Sequence, residues 1–192
     1  MNAPTSTLTD LLAPAAAGAA TPAAAVAPED FTGAFRAYAG GVAVITADAG
    51  AGPVGFTATS VTSVSVDPPI LAFSVSDQSS SAPTVVAAAS VVIHLLGSSQ
   101  VDIARLCATS GADRFADATI WDRLDGGEPY FPAAQSWIRG DVINRVRAGN
   151  ATIVVVQATA TGAAQDAAPT DTPLVYHGRA WHTLGEHSRV AS

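Results

Sequence analysis

The chain has 192 residues, 48% hydrophobic and only 13% charged, with a formal charge of −7 and one cysteine. That length and apolar content suit a single domain with a real core, and the acidic balance excludes a nucleic-acid groove, which needs a clustered basic face. Cys107 has no internal disulfide partner, and no apolar run reaches the roughly 18 residues that span a bilayer, so the expected setting is cytoplasmic, reducing and membrane-free.

Residues 1–28 are mostly Ala, Pro and Thr, and the first basic residue is Arg36. With no positive n-region and with Pro14, Pro22 and Pro28 interrupting any helix, this stretch predicts a disordered tail rather than a secretory signal, leaving 29–192 as the folded domain. Asp30 is placed as an N-cap. Phe31, Phe35 and Tyr38 follow on one helical face, which predicts a core-packing helix ended by Gly40 and Gly41. The period then changes to that of strands, predicted at 42–46, 55–66 and 70–75. Asp67-Pro68-Pro69 punctuates the last two, and a serine-rich loop over 76–81 leads into a short helix from Pro83 to about Ala89. A strand at 91–96 and a helix at 99–108 follow, the latter with Val101, Ile103, Ala104 and Cys107 facing a core. Strands at 142–146, 151–160, 174–177 and 180–184 complete the pattern. Clustered strands with few short helices predict a mainly β fold, a closed or Greek-key barrel rather than a parallel α/β sheet. So few charges leave apolar Ala and Val surface, and burying it between two copies predicts a homodimer.

The densest polar signal is Thr57, Thr59, Ser60, Thr62, Ser63 and Ser65 on the 55–66 strand. Strand alternation puts Thr57, Thr59, Ser63 and Ser65 on one face with Val61. Buried hydroxyls without partners cost about 1–3 kcal/mol each, so the face either is exposed or meets a ligand rich in oxygen. Ser79-Ser80-Ser81 before the Pro83 helix offers hydroxyls and free N–H groups to an anion, or is simply a flexible loop. His177, His182 and His187 are spaced by five, which on a strand sets neighbours on opposite faces, and no metal set is expected. Nucleophile elbow and dinucleotide glycine fingerprint are both absent, and Cys107 is read as a packed thiol.

The block at 55–76, GFTATSVTSVSVDPPILAFSVS, followed by SSSAP at 79–83, resembles the signature of the short-chain flavin reductases. Further matching blocks are VVIHLL at 91–96, residues 100–108, ADRFA at 112–116, Trp121 and LVYHGRAWHTL at 174–184. These are split-barrel proteins that supply reduced flavin to two-component monooxygenases. The resemblance implies a homodimer of split barrels that binds FMN or FAD near the subunit interface and takes a hydride from NADH or NADPH. It implies flavin contacts from Thr57, Ala58, Thr59 and Ser60, with Ser65, Val66 and Asp67 lining a turn beside the ring. Ser80 and Ser81 would reach the phosphate side, and Arg114 the phosphates or the nicotinamide nucleotide. His177 and Arg179 would approach from the last strands, His177 as the positioning group of the catalytic site. Hydride transfer asks for stacking and exclusion of water rather than an acid–base dyad, which agrees with the lack of one.

The chain departs from the family pattern at two places. His94 stands where Asn is common, and Gly149-Asn150-Ala151 stands where Gly-Asp-His is common. The second keeps open a flavin carrier or sensor without reductase activity. An unrelated β-barrel interaction module, its hydroxyl strand merely exposed, is the third alternative.

Overall fold

The computed structural model describes residues 25–164 and 171–191, so the expected tail lies outside the described residues as far as residue 24. The chain divides into two units, residues 1–35 and 36–192. Helix α1 (Pro28–Arg36) opens with Pro28, Glu29 and Asp30, which suit the positive end of a helix. Asp30 thus lies inside the first turn rather than capping it. Phe31 and Phe35 meet across one turn as tilted rings with centroids 4.9 Å apart, but α1 has no buried residue and Tyr38 is exposed. The expectation that this aromatic face packs into a core is not met.

The second unit is mainly β, with short helices. Its elements are β1 (Gly40–Gly41), β2 (Ala43–Asp48), β3 (Pro53–Ala58), β4 (Thr62–Val66), β5 (Pro69–Ser76), α2 (Ala82–Ala87) and β6 (Ser90–Leu95). After them come α3 (Val101–Ala108), β7 (Asp122–Arg123), β8 (Pro129–Tyr130), β9 (Ser136–Ala148), β10 (Ala151–Ala163), β11 (Leu174–His177) and β12 (Ala180–Thr183). Seven strands form one antiparallel sheet in the order β3-β2-β6-β9-β10-β5-β4, beside a three-stranded sheet β1-β11-β12 and the pair β7-β8.

The predicted strand at 55–66 is two strands, and they occupy opposite edges of the large sheet. Laid flat at about 4.8 Å per strand, those edges would stand about 29 Å apart. Only residues 59–61 join them, and such a link reaches at most about 14 Å. The sheet therefore curls until β3 approaches β5 and β4, while β3 and β4 stay unpaired with each other: a split barrel. Ser60 holds the seam. Its Oγ accepts the Ser74 N–H at 3.1 Å and donates to the Ser74 carbonyl at 3.3 Å, just beyond the last β4–β5 pair, Thr62 with Ala72.

Curling explains the burial. Alternate residues of β2 enter two cores, Ala43, Ile45 and Ala47 into the barrel interior and Val44 into an outer core. The interior also takes Phe56, Phe73, Val85, Ile93, Val154 and Val156, and the outer core takes Leu96, Ala104, Cys107, Phe131 and Leu174. Buried on both faces, β2 and β6 read as continuous apolar runs rather than alternating ones. Strand β9 begins six residues earlier than the predicted 142–146, because charged Arg139 and Asp141 around Gly140 mask it. A Cβ on Gly140 would collide with Val156 and stand 2.6 Å from the Gln157 carbonyl, so this irregular stretch of the β9–β10 ladder requires glycine.

His94, on β6, is fully buried. Its Nε2 accepts the Phe131 N–H at 3.0 Å, which leaves Nδ1 as the donor to the Val44 carbonyl at 3.0 Å. His94 therefore ties β6 to β2 and to the loop after β8. Burial pulls its pKa down to about 4, against the pull of the Val44 bond. Between that value and its free value of 6.5, the unfolded chain binds a proton that the folded chain refuses. Stability should fall as pH is lowered through this window, by up to about 3 kcal/mol. Denaturant melts from pH 7 to pH 4 (about the span of one such titration) check this, and His94→Phe should flatten the slope while lowering stability at neutral pH.

Candidate functional site

At the seam lies a cavity of about 550 Å³. Its lining comes from four places: Phe56, Thr57 and Ala58 of β3 with Thr59 and Ser60 after it, Ser74 and Ser76 of β5, Gln78, Ser79 and Ser80 of the serine loop, and Cys107, Ala108, Ser110 and Arg114 around the end of α3. The volume falls in the range that small-molecule sites occupy. Among the described residues it is an oxygen-rich wall with one cation.

The hydroxyls differ in what they are free to do. Thr57 Oγ1 donates to the Ala104 carbonyl at 2.6 Å, fastening α3 to β3, so Thr57 offers the cavity mainly its backbone. Ser60 Oγ is engaged by Ser74. In the serine loop, Ser76 Oγ accepts the Gln78 N–H at 3.2 Å and Ser79 Oγ accepts the Ser81 N–H at 3.3 Å. Ser81 is buried, and its Oγ donates to the Gly55 carbonyl at 2.9 Å. No serine side chain caps α2; Ser79 and Ser81 instead bond within the loop and to Gly55, while Ser79 and Ser80 line the cavity. The hydroxyls of Thr59, Ser80 and Ser110 line the cavity with no hydrogen-bond partner among the described residues.

Arg114 reaches the cavity from a loop pinned by aromatic stacking. Phe115, next to it, stacks on Phe131 at 5.7 Å and meets Trp121 edge-on at 5.0 Å, and Trp121 Nε1 donates to the Phe115 carbonyl at 3.0 Å. The guanidinium itself donates from Nε to the Cys107 carbonyl at 3.2 Å and from Nη2 to the Thr109 carbonyl at 3.0 Å. Those carbonyls belong to the negative end of α3, which suits a cation. They fix the direction in which Nη1 is presented.

Of the residues singled out from the sequence, Thr57, Ala58, Thr59, Ser60, Ser80 and Arg114 meet at this cavity. Ser81 lies just behind the wall, at the N-cap of α2. Ser65, Val66 and Asp67 lie apart from the lining, on β4 and the turn after it, and Val66 is 88% exposed. The face shared by Thr57, Thr59, Ser63 and Ser65 does not exist, because the strand breaks at 59–61.

His177 and Arg179 sit on the β11–β12 hairpin, also outside the lining. Gly178 (φ 57°) and Arg179 (φ 67°) form its two-residue turn, both left-handed, a conformation uncommon for arginine. The turn breaks strand parity, so His177 and His182 share a face, with rings 5.7 Å apart, contrary to the spacing argument. Trp137 and Trp181 pack edge-on against Tyr130 and Tyr176.

The sequence reading missed Ser74, Ser76 and Gln78, which the barrel's curl alone brings to the cavity. It also missed that the Gly149-Asn150 turn at the β9–β10 tip touches the serine loop, where the Asn150 carbonyl accepts the Asp77 N–H at 3.0 Å. Cys107 lines the cavity, yet burial pushes its thiol up to about 12, with Arg114 pulling weakly the other way. It stays protonated and is not a nucleophile.

Residues 35–185 match the family model described as flavin reductase like domain. An NADH:FMN oxidoreductase of Rhodococcus qingshengii is 42% identical over 161 residues, spanning 83% of this chain and 84% of that protein. A solved flavin reductase domain protein of Arthrobacter sp. FB24 superposes with a TM-score of 0.76 at 31% identity, covering 82% of this chain and 95% of its own. BorF, the flavin reductase component of a bacterial two-component tryptophan halogenase, superposes at 0.73 with 26% identity, covering 82% of this chain and 98% of its own.

Cys107 should resist a thiol reagent such as an aromatic disulfide at mildly alkaline pH in the native protein and react at once on unfolding. Labelling kinetics with and without denaturant check this.

Proposed function

The chain belongs to the flavin reductase like domain family, and from that footing we propose that it is an NAD(P)H:flavin oxidoreductase which delivers reduced flavin to a partner monooxygenase. The observation that carries this reading is the cavity at the barrel seam, where exposed hydroxyls and the directed Arg114 guanidinium line one pocket. An FMN or FAD held there supplies a ring that accepts the hydride of NADH or NADPH, while this chain binds, orients and excludes water. The residues assigned to flavin binding are Thr57, Ala58, Thr59, Ser60, Ser80 and Arg114, with Ser81 keeping the wall in place. Arg114 is the group for a phosphate, since guanidinium–phosphate bonds are among the strong charge-assisted ones. The names of the related proteins support NADH as donor and FMN as acceptor.

The active form is a homodimer. Val64 of β4, Val146 of β9 and Ile153 of β10 are exposed, the last two paired across the β9–β10 ladder, and this apolar surface is what a second copy would cover. Ser65, Val66, Asp67, His177 and Arg179 stand away from the cavity of their own chain and exposed or half-buried. Those are the properties of residues that a second copy brings to a site near the interface. The strained Arg179 turn fits that role, and His177 is the residue we assign to positioning the nicotinamide. Among the described residues no helix is long and apolar enough to cross a membrane. Together with the unpaired, buried Cys107, this supports a reducing, cytoplasmic setting.

Loss of nicotinamide absorbance, measured for NADH and NADPH with FMN, FAD or riboflavin added, tests the reading. Turnover that rises with free flavin is expected. Saturable flavin binding without turnover would move the chain to a carrier or sensor, the reading that Ala151 in place of histidine favours. Arg114→Ala should weaken FMN at least tenfold, about the worth of one charge-assisted bond, and riboflavin far less. His177→Ala should raise the KM for the nicotinamide nucleotide more than it changes flavin affinity. Light scattering at micromolar concentration should give the mass of a dimer.

A further inference from the structure

The serine loop supplies Ser76, Gln78, Ser79 and Ser80 to the cavity, but the residue in their midst, Asp77, carries a negative charge. Its side chain is not part of the lining, but Ser76 and Gln78 on either side of it are, so the carboxylate stands beside the space assigned to a flavin nucleotide. It is held by a residue that does not line the cavity. Arg147, near the end of β9, donates from Nη1 to Asp77 Oδ1 at 2.6 Å and from Nη2 to Oδ2 at 2.8 Å, a two-pronged pair. The Asp77 backbone is tied to the same hairpin, its N–H donating to the Asn150 carbonyl at 3.0 Å. Gly149, with φ 61°, opens the two-residue turn that places Arg147 and Asn150 at the same hairpin tip.

We propose that Asp77 and Arg147 form a neutralising latch for the site: Arg147 is a positioning residue that pins the serine loop and cancels the Asp77 charge beside a bound flavin phosphate. The inference rests on the flavin reading above. Both side chains are largely exposed, 65% for Arg147 and 40% for Asp77. Exposed ion pairs contribute little to folding, so the latch acts on ligand affinity rather than on stability. With Arg147 removed, Asp77 is left uncompensated on the loop and repels an anion bound in the adjoining cavity. Arg114, the cation of the lining among the described residues, must then work against that charge. Riboflavin, which has no phosphate, escapes that repulsion.

The experiment titrates the full-length protein and its variants with FMN and with riboflavin, reading the quench of flavin fluorescence. Arg147→Ala should weaken FMN about three- to tenfold at low salt, an effect that shrinks in high salt, and leave riboflavin within about twofold. Arg147→Lys keeps the cation and should hold FMN affinity close to wild type. Adding Asp77→Asn to Arg147→Ala should restore most of the lost affinity, the reverse of what loss of a purely structural tether gives. Equal weakening of FMN and riboflavin without rescue by Asp77→Asn, or no change in either ligand, overturns the latch. Wild-type protein that binds neither flavin overturns the functional reading itself, and the latch with it.

Discussion

A three-residue link between the two edges of a seven-stranded sheet governs this molecule. Because residues 59–61 cannot cross the width of a flat sheet, the sheet curls, and everything else follows from the curl. It turns one face of β2, β3, β5, β6 and β10 into an interior filled by Ile45, Phe56, Phe73, Ile93 and Val156. It leaves β2 with a second apolar face, covered by α3, the segment around Phe131 and Leu174 of β11. It also leaves a seam that β3 and β5 do not close with ladder hydrogen bonds, where Ser60 substitutes a side-chain hydroxyl for a neighbouring strand. The cavity is that seam. The fold brings the Ser and Thr side chains of β3, β5, the serine loop and the end of α3 to that seam, and they make its wall rich in oxygen.

What the sequence revealed divides along the same line. Strands whose burial is decided by immediate neighbours were visible: β6, β10, β11 and β12 lie close to their predicted positions, and Ala104 and Cys107 are buried as their spacing on α3 implies. The hydroxyl-rich stretch was visible as chemistry but not as shape. Alternation counts residues along one unbroken strand, and nothing in TATSVTS signals that Thr59 to Val61 is a corner. The same limit applies at the β11–β12 turn, where two left-handed residues put His177 and His182 on one face. Ser74, Ser76 and Gln78 carry no local mark of a site, since only the curl brings them to β3. The aromatic face of α1 shows the opposite failure, because a good helical pattern did not guarantee a buried one.

Order in the serine loop is a second consequence of geometry. A run of serines ahead of a proline suggests either flexibility or a cap. Here Ser76 and Ser79 bind backbone two residues on, Ser81 reaches back to Gly55, and the hairpin tip holds Asp77 from the far side. With its backbone so constrained, the loop loses little further freedom on binding a ligand, and that ordering cost is one of the main debits of association.

The electrostatics of the site must also answer the charge of the whole chain. A protein of formal charge −7 is poorly suited to attract two nucleotides that are themselves anionic. Salt screens carboxylates farther than roughly 8–10 Å, so what matters is the charge close to the cavity. Arg114 is aimed by two carbonyls and is the cation of the lining among the described residues, while nearby Asp113 accepts the Phe115 N–H at 3.1 Å. Cys107 is kept neutral by burial. Asp77 is the acid placed worst for an anionic ligand, flanked by lining residues on both sides, and it is the one that meets a two-pronged arginine. The cavity wall and the loop beside it are thus neutral or positive group by group, although the molecule is acidic. Binding of an anion here depends on where the charges are compensated, and the chain's overall sign does not decide it.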